Sequence, residues 1–140
     1  MQTITPYLLY EDGDAAIQFL VQAFGFEEKF RAKAPDGRTA HAELALGDGM
    51  IHLGQPGSDY RGPRKLGTNT CLLYVYVDDV DSHCERARTA GAEIADEPAD
   101  QEYGDRRYHV RDPEGHDWYF AQRLNQAAGP KSEAEVTTSA

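Results

Sequence analysis

The sequence predicts an α+β fold of two tandem, similar halves, each a strand, a helix and then three strands. Three observations carry this expectation. The segments Tyr7-Leu8-Leu9-Tyr10-Glu11-Asp12 and Tyr74-Val75-Tyr76-Val77-Asp78-Asp79 are visibly alike. Each leads into a stretch with apolar residues at helical spacing that closes on a glycine, Gly25 or Gly91. After each glycine come alternating runs separated by turn residues, the pattern of strands. Repetition on this scale points to a duplicated supersecondary unit.

Thr3 to Tyr10 reads as the first strand, and Glu11-Asp12-Gly13-Asp14 as a turn whose Asp14 can cap the next helix. From Ala15 to Phe24, the residues Ala16, Ile17, Leu20, Val21 and Phe24 fall on one helical face. Glu27 to Ala34 is a strand closed by Pro35-Asp36-Gly37. Arg38 to Leu46 and Met50 to Gln55 follow as a hairpin around Gly47-Asp48-Gly49. Gln55 to Asn69, rich in Gly, Pro and charge, connects the halves or covers a site.

Cys71 to Val77 then restarts the pattern. Val80, Cys84, Ala87 and Ala90 line one side of a helix after Asp78-Asp79. Ala92 to Asp96 is a short strand, and Arg107 to Arg111 and His116 to Gln122 are two more, joined around Asp112-Pro113-Glu114-Gly115. Residues 1–124 form one domain, with modules at about 3–56 and 70–123; the Ala, Gly, Ser, Thr and Glu of 125–140 read as a disordered tail.

Composition narrows the function. The 40% hydrophobic and 27% charged content is that of an ordinary soluble protein, and the apolar runs are too short to span a membrane. The first residues lack the basic and apolar stretches of a secretory signal, so a cytoplasmic location is expected. Net charge is −10 and belongs to the body of the chain, which makes nucleic acid a poor partner, and none is expected, because phosphates need a basic stripe. Cys71 and Cys84 have no metal-binding or redox spacing and read as buried thiols. The chain also lacks a nucleotide-binding fingerprint.

Four segments in order, Ile4-Thr5-Pro6-Tyr7-Leu8, His41-Ala42-Glu43-Leu44, Tyr103-Gly104-Asp105-Arg106 and Asp112-Pro113-Glu114-Gly115-His116-Asp117-Trp118, carry a family resemblance over about residues 3–123. The chain resembles the glyoxalase/bleomycin-resistance/dioxygenase family of the vicinal oxygen chelate superfamily, in a branch with Tyr-Gly-Asp-Arg and Asp-Pro-x-Gly-His-x-Trp motifs. The resemblance implies curved mixed sheets with helices outside, a concave cup, and frequent pairing as a homodimer. It also implies, in metal-dependent members, four cup-facing ligands from the first and fourth strands of each half. Carried onto this chain those positions are Thr5, His52, Leu72 and Tyr119.

Only His52 of these four is a good ligand for a divalent cation, since Leu72 has no donor and Thr5 and neutral Tyr119 are poor ones. No metal cofactor is therefore expected at the standard position. Strand alternation places Thr5, Tyr7, Leu9, His52, Leu72, Tyr74, Tyr76, Asp117 and Tyr119 on the cup face, and Cys71, Leu73, Val75, Val77, Ile51, Leu53, Trp118 and Phe120 toward the helices. With Asp48-Gly49 as a two-residue turn, Ala45 stands opposite His52 and Glu43 lies diagonally across. His41, Glu43 and His52 then make a polar wall, with Asp117 as a remote fourth group. That wall reads as a wet hydrogen-bonded cluster, a displaced divalent-metal site or an acid–base pair.

Tyr7, Tyr74, Tyr76 and Tyr119 suit a flat or aromatic ligand in the cup. Tyr103 to Arg106 reads as a loop that gates the cup, or as a turn in which Asp105 pairs Arg106. His116 reads as a loop-bonding residue, and Tyr60 and Arg61 as a lid. The leading expectation is a binding protein for an aromatic or antibiotic-like small molecule. Its ligand-contacting residues are Tyr7, His41, Glu43, His52, Leu72, Tyr74, Tyr76, Tyr103 and Tyr119. The alternative is an enzyme, a lyase, isomerase or dioxygenase, using His52 with Glu43 or a displaced metal. A third expectation is a partner-binding module with a filled cup.

Overall fold

The computed structural model describes residues 2–124; the expected tail at 125–140 lies outside the described residues. Two four-stranded mixed sheets make up the molecule, one from each half. In the first, β1 (Tyr7–Leu9), β2 (Glu27–Lys33), β3 (Thr39–Leu46) and β4 (Gly49–Gly54) are arranged β1-β4-β3-β2, and α1 (Gly13–Phe24) links β1 to β2. A single turn, α2 (Pro63–Leu66), lies in the connection between the halves. The second sheet repeats the order as β5-β8-β7-β6, from β5 (Leu72–Tyr76), β6 (Glu93–Asp100), β7 (Asp105–Arg111) and β8 (Asp117–Arg123), with α3 (Val80–Thr89) after β5.

The local grammar repeats too. Asp12 and Asp79 cap the two helices with nearly the same backbone angles, and each accepts a hydrogen bond from the amide three residues on. The cap of α1 is therefore Asp12 rather than Asp14. Asp14 instead pairs with Arg31 and Lys33 and accepts a hydrogen bond from the Thr39 hydroxyl. The first strand is shorter than expected. The sixth is longer, running on from Asp96 to Asp100 through register irregularities and Pro98, which an edge strand tolerates.

One core joins the halves. Ile17, Leu20 and Phe24 of α1 are buried, as are Trp118 and Phe120 of β8. The Phe24 ring meets Trp118 and Phe120 edge-on, with centroids 5.3 and 4.8 Å apart. Polar groups fix the same junction. His83 of α3 bonds the Phe24 carbonyl oxygen through Nε2 (2.8 Å) and the Tyr108 hydroxyl through Nδ1 (2.6 Å). Burial lowers its pKa, which keeps it neutral, so Nε2–H donates and Nδ1 accepts. Arg86 donates to the Val21 and Gln22 carbonyls near the end of α1.

The face assignments hold on both sheets: Leu8, Ile51, Leu53, Trp118 and Phe120 are buried on the helix side, while Tyr7, Leu9, Leu72 and Tyr76 are exposed on the opposite, open face. Cys84 is buried but Cys71 is exposed, contrary to expectation, because β5 begins one residue after it. Ala90 is likewise exposed, standing past the last turn of α3. No helix among the described residues is long and apolar enough to cross a membrane.

Candidate functional site

The open face of the first sheet holds the polar wall, in a tighter arrangement than alternation alone implied. The β3–β4 hairpin turns at Gly47-Asp48, which pairs Ala45 with Met50 and sets Glu43 directly opposite His52. Tyr7 of β1 pairs with His52 from the other side. Glu43, however, bonds His41, not His52: His41 Nε2 is 2.9 Å from Glu43 Oε2, and His52 Nε2 is 3.6 Å away. His41 Nδ1 lies 2.8 Å from the Tyr7 hydroxyl. With neutral His41 donating through Nε2 to the carboxylate, Nδ1 accepts from Tyr7, so the hydrogen bonds run from Tyr7 to His41 to Glu43. Ligand atoms of His41, Glu43 and His52 all lie within 4.8 Å of one another, close enough to hold one divalent cation. Asp117 does not join them; it sits on the other sheet, bonded to His109, Arg111 and Asn69.

Two of the positions that the resemblance assigns to a metal, Leu72 and Tyr119, lie on the second sheet, apart from His52. Leu72 offers no donor, and the Tyr119 ring is stacked flat beside His109, 4.4 Å between centroids and 7° between planes. The open face of the second sheet is instead a row of rings. Tyr74, Tyr119 and His109 are register partners on three adjacent strands, and their planes are within 12° of parallel from one to the next. Asp117 Oδ1 holds His109 Nε2 at 2.7 Å from one side. Asp96, on β6, stands 3.5 Å from Nδ1 on the other.

Asp105 anchors the near end of this wall. It is buried at the start of β7, and its Oδ2 accepts hydrogen bonds from Tyr74 (2.7 Å) and Tyr76 (2.8 Å). Arg123 Nε comes within 3.2 Å of Oδ1 without the alignment of a hydrogen bond. Burial, and then donation to Asp105, push both phenols above the ordinary tyrosine pKa, so they stay protonated donors. Tyr103 bonds Tyr74 at 3.2 Å. The Tyr103–Arg106 segment does not form the alternative Asp105–Arg106 pair: Asp105 takes the tyrosines, while Arg106 pairs Asp81 and Asp100.

Arg107, His109 and Asp105 were missed as site residues. Alternation along Asp105–Arg111 was the available signal, because Tyr108 and Val110 are apolar and buried, which turns 105, 107 and 109 to the open face.

Between edge strands β1 and β5 runs a cleft of about 860 Å³. Tyr7, Leu72, Tyr74 and Tyr76 line it, whereas His41, Glu43, His52, Tyr103 and Tyr119 do not. The four expected cup tyrosines are therefore divided, with Tyr7 in the first wall's histidine cluster and Tyr74, Tyr76 and Tyr119 on the second wall. Tyr60 borders the cleft and donates to the Leu9 carbonyl, and Arg61 donates to the carbonyls of Ser58 and Tyr60. His116 bonds Asp112 and packs on Tyr10, a loop-fixing role.

A chain with these duplicated sheets and this site belongs to the glyoxalase/bleomycin resistance protein/dioxygenase superfamily, whose sequence model matches residues 3–120. An uncharacterized protein of Mycobacterium tuberculosis is 31% identical to it, across 96% of this chain and 82% of the relative. The crystal structure of TioX from Micromonospora sp. is 37% identical, with a TM-score of 0.69, covering 86% of this chain and 95% of that one. Glyoxalase I from Zea mays, 24% identical with a TM-score of 0.70, shares the fold. It matches 84% of this chain, which corresponds to 43% of the maize protein.

Proposed function

We propose that the protein binds a small aromatic molecule on the open face of its sheets, without an ion at the standard position and as a homodimer. The observation that carries this reading is the parallel row of Tyr74, Tyr119 and His109, whose rings stack on one another and so turn their edges outward, a pre-aligned surface for edge-to-face contact with an aromatic ligand. Leu72 and Tyr119 at two ligand positions support binding without the usual polarising cation. The exposed Tyr7, Leu9, Phe30, Leu72 and Tyr76 support a second copy that covers part of the open faces.

A second reading follows from the Tyr7–His41–Glu43 relay: an enzyme using that relay, or a divalent cation held by His41, Glu43 and His52. This shifts the acid–base pair from His52 with Glu43 to His41 with Glu43. In such an enzyme the carboxylate fixes the imidazole tautomer, and the imidazole holds the Tyr7 proton at Nδ1.

A thermal-shift screen over planar aromatic compounds, run with and without chelator, separates the readings. Stabilisation of several degrees by aromatic compounds that survives chelation supports metal-free binding. Stoichiometric metal in the purified protein, lost in the His41→Ala variant, would transfer the function to the first wall.

A further inference from the structure

The proposed ligand surface has an uneven supply of hydrogen-bond donors, and the imbalance points to a charge on the ligand. Tyr74 and Tyr76 spend their hydroxyl protons on Asp105, and Tyr103 then has the Tyr74 oxygen as its acceptor. None of these phenols has a proton to spare for a ligand. Arg107 is placed differently. Its guanidinium lies over the Tyr119 ring, 4.9 Å from the centroid, and 5.9 Å from that of Tyr103.

The directly opposite residues on both neighbouring strands are alanines, Ala99 and Ala121, so neither side chain rises to meet it. Arg106, Arg111 and Arg123 each lie against a carboxylate. Among the described residues, Arg107 has no hydrogen bond or ion pair from its guanidinium.

A guanidinium set over a ring and paired with no carboxylate keeps its planar fork of N–H donors available for a two-pronged grip on a carboxylate. We propose that the ligand is a planar aromatic anion, its ring against the Tyr74–Tyr119–His109 row and its carboxylate or equivalent acidic group held by Arg107. This rests on the reading of that row as the ligand surface. The two carboxylates bonded into the row, Asp105 and Asp117, lie against Arg123 and Arg111, and at physiological salt charges beyond roughly 8 Å are screened while the fork acts at contact.

The test is calorimetric titration of the full chain, at physiological ionic strength, with naphthoate, naphthamide and naphthylmethylammonium. These probes share a ring system and differ in charge. Naphthoate is expected to bind about tenfold tighter than the amide. Arg107→Met should lower naphthoate to the level of the amide while leaving the amide within about twofold, and Arg107→Lys should keep part of the preference. If Arg107→Met does not fold, the wild-type preference and the lysine variant decide. Equal binding of naphthoate and amide, a preference for the ammonium, or equal weakening of both ligands by Arg107→Met overturns the anion proposal and leaves aromatic binding standing. Failure of all three probes to bind overturns both.

Discussion

Asp112 has more polar work concentrated on it than any candidate site residue. Its Oδ2 accepts from the Tyr10 hydroxyl at 2.7 Å and the Trp118 indole at 3.2 Å. Its Oδ1 accepts from the amides of Glu114 and His116 and lies 3.2 Å from His116 Nδ1. The residue is buried, so Asp112→Ala leaves a phenol and an indole N–H without acceptors in the core. A loss of about 3–5 kcal/mol in unfolding free energy is expected, read by urea denaturation.

Burial works to raise the Asp112 pKa, but the His116, Tyr10 and Trp118 bonds outweigh it and the net shift is downward. A carboxylate depressed in the folded state contributes stability above its unfolded pKa of about 3.9, and that contribution is lost as pH falls through its folded value. Glu114 has the opposite sign: burial raises its pKa, so protonation relieves it. Wild-type stability should therefore fall on acidification below about pH 4, and the Asp112→Asn variant, destabilised at neutral pH, should lose less over that interval. An acid titration of both by circular dichroism checks this; parallel curves would remove Asp112 from the acid response.

At the scale of elements, the duplication makes a paired prediction. Asp12 and Asp79 cap α1 and α3 with matching geometry, so each Asp→Ala change should cost about 1 kcal/mol. The two changes share no partner, so the double variant should lose about 2 kcal/mol, the sum. Denaturant midpoints measure this, and a clear excess would reveal coupling between the helix starts.

The sequence reading placed the first cap two residues late for a physical reason. Gly13 opens the helix against its own propensity, and a Cβ there would stand 2.5 Å from the Thr39 Cβ. That constraint comes from a strand distant in sequence and leaves no local mark. Alternation along β8 was legible because Trp118 and Phe120 differ so plainly from Asp117 and Tyr119. The partner of Glu43 was not, because moving the turn from Asp48-Gly49 to Gly47-Asp48 changes which residue faces His52. The junction made by His83 and Arg86 reaches from α3 to the end of α1, a contact no periodicity announces.

Across the whole molecule, the apolar surface is distributed in a way one copy of the chain leaves unfinished. The helix-side faces close over a shared core of aromatic rings, while the open faces keep Tyr7, Leu9 and Phe30 on one sheet and Leu72 and Tyr76 on the other exposed. The two sheets do not join at β1 and β5, where the large cleft lies instead. A second copy laid over these edges would remove the exposed side chains from water, each worth about 1.5–3 kcal/mol when fully buried. Leu72 is the most informative position, because half of its surface is exposed (49%) and it forms no part of the core. Leu72→Asp should leave the melting temperature of dilute protein nearly unchanged and convert a dimer to a monomer, as read by light scattering behind size-exclusion chromatography. A wild-type protein that stays monomeric at every concentration would show that the open faces meet a ligand alone, and the homodimer would have to be abandoned.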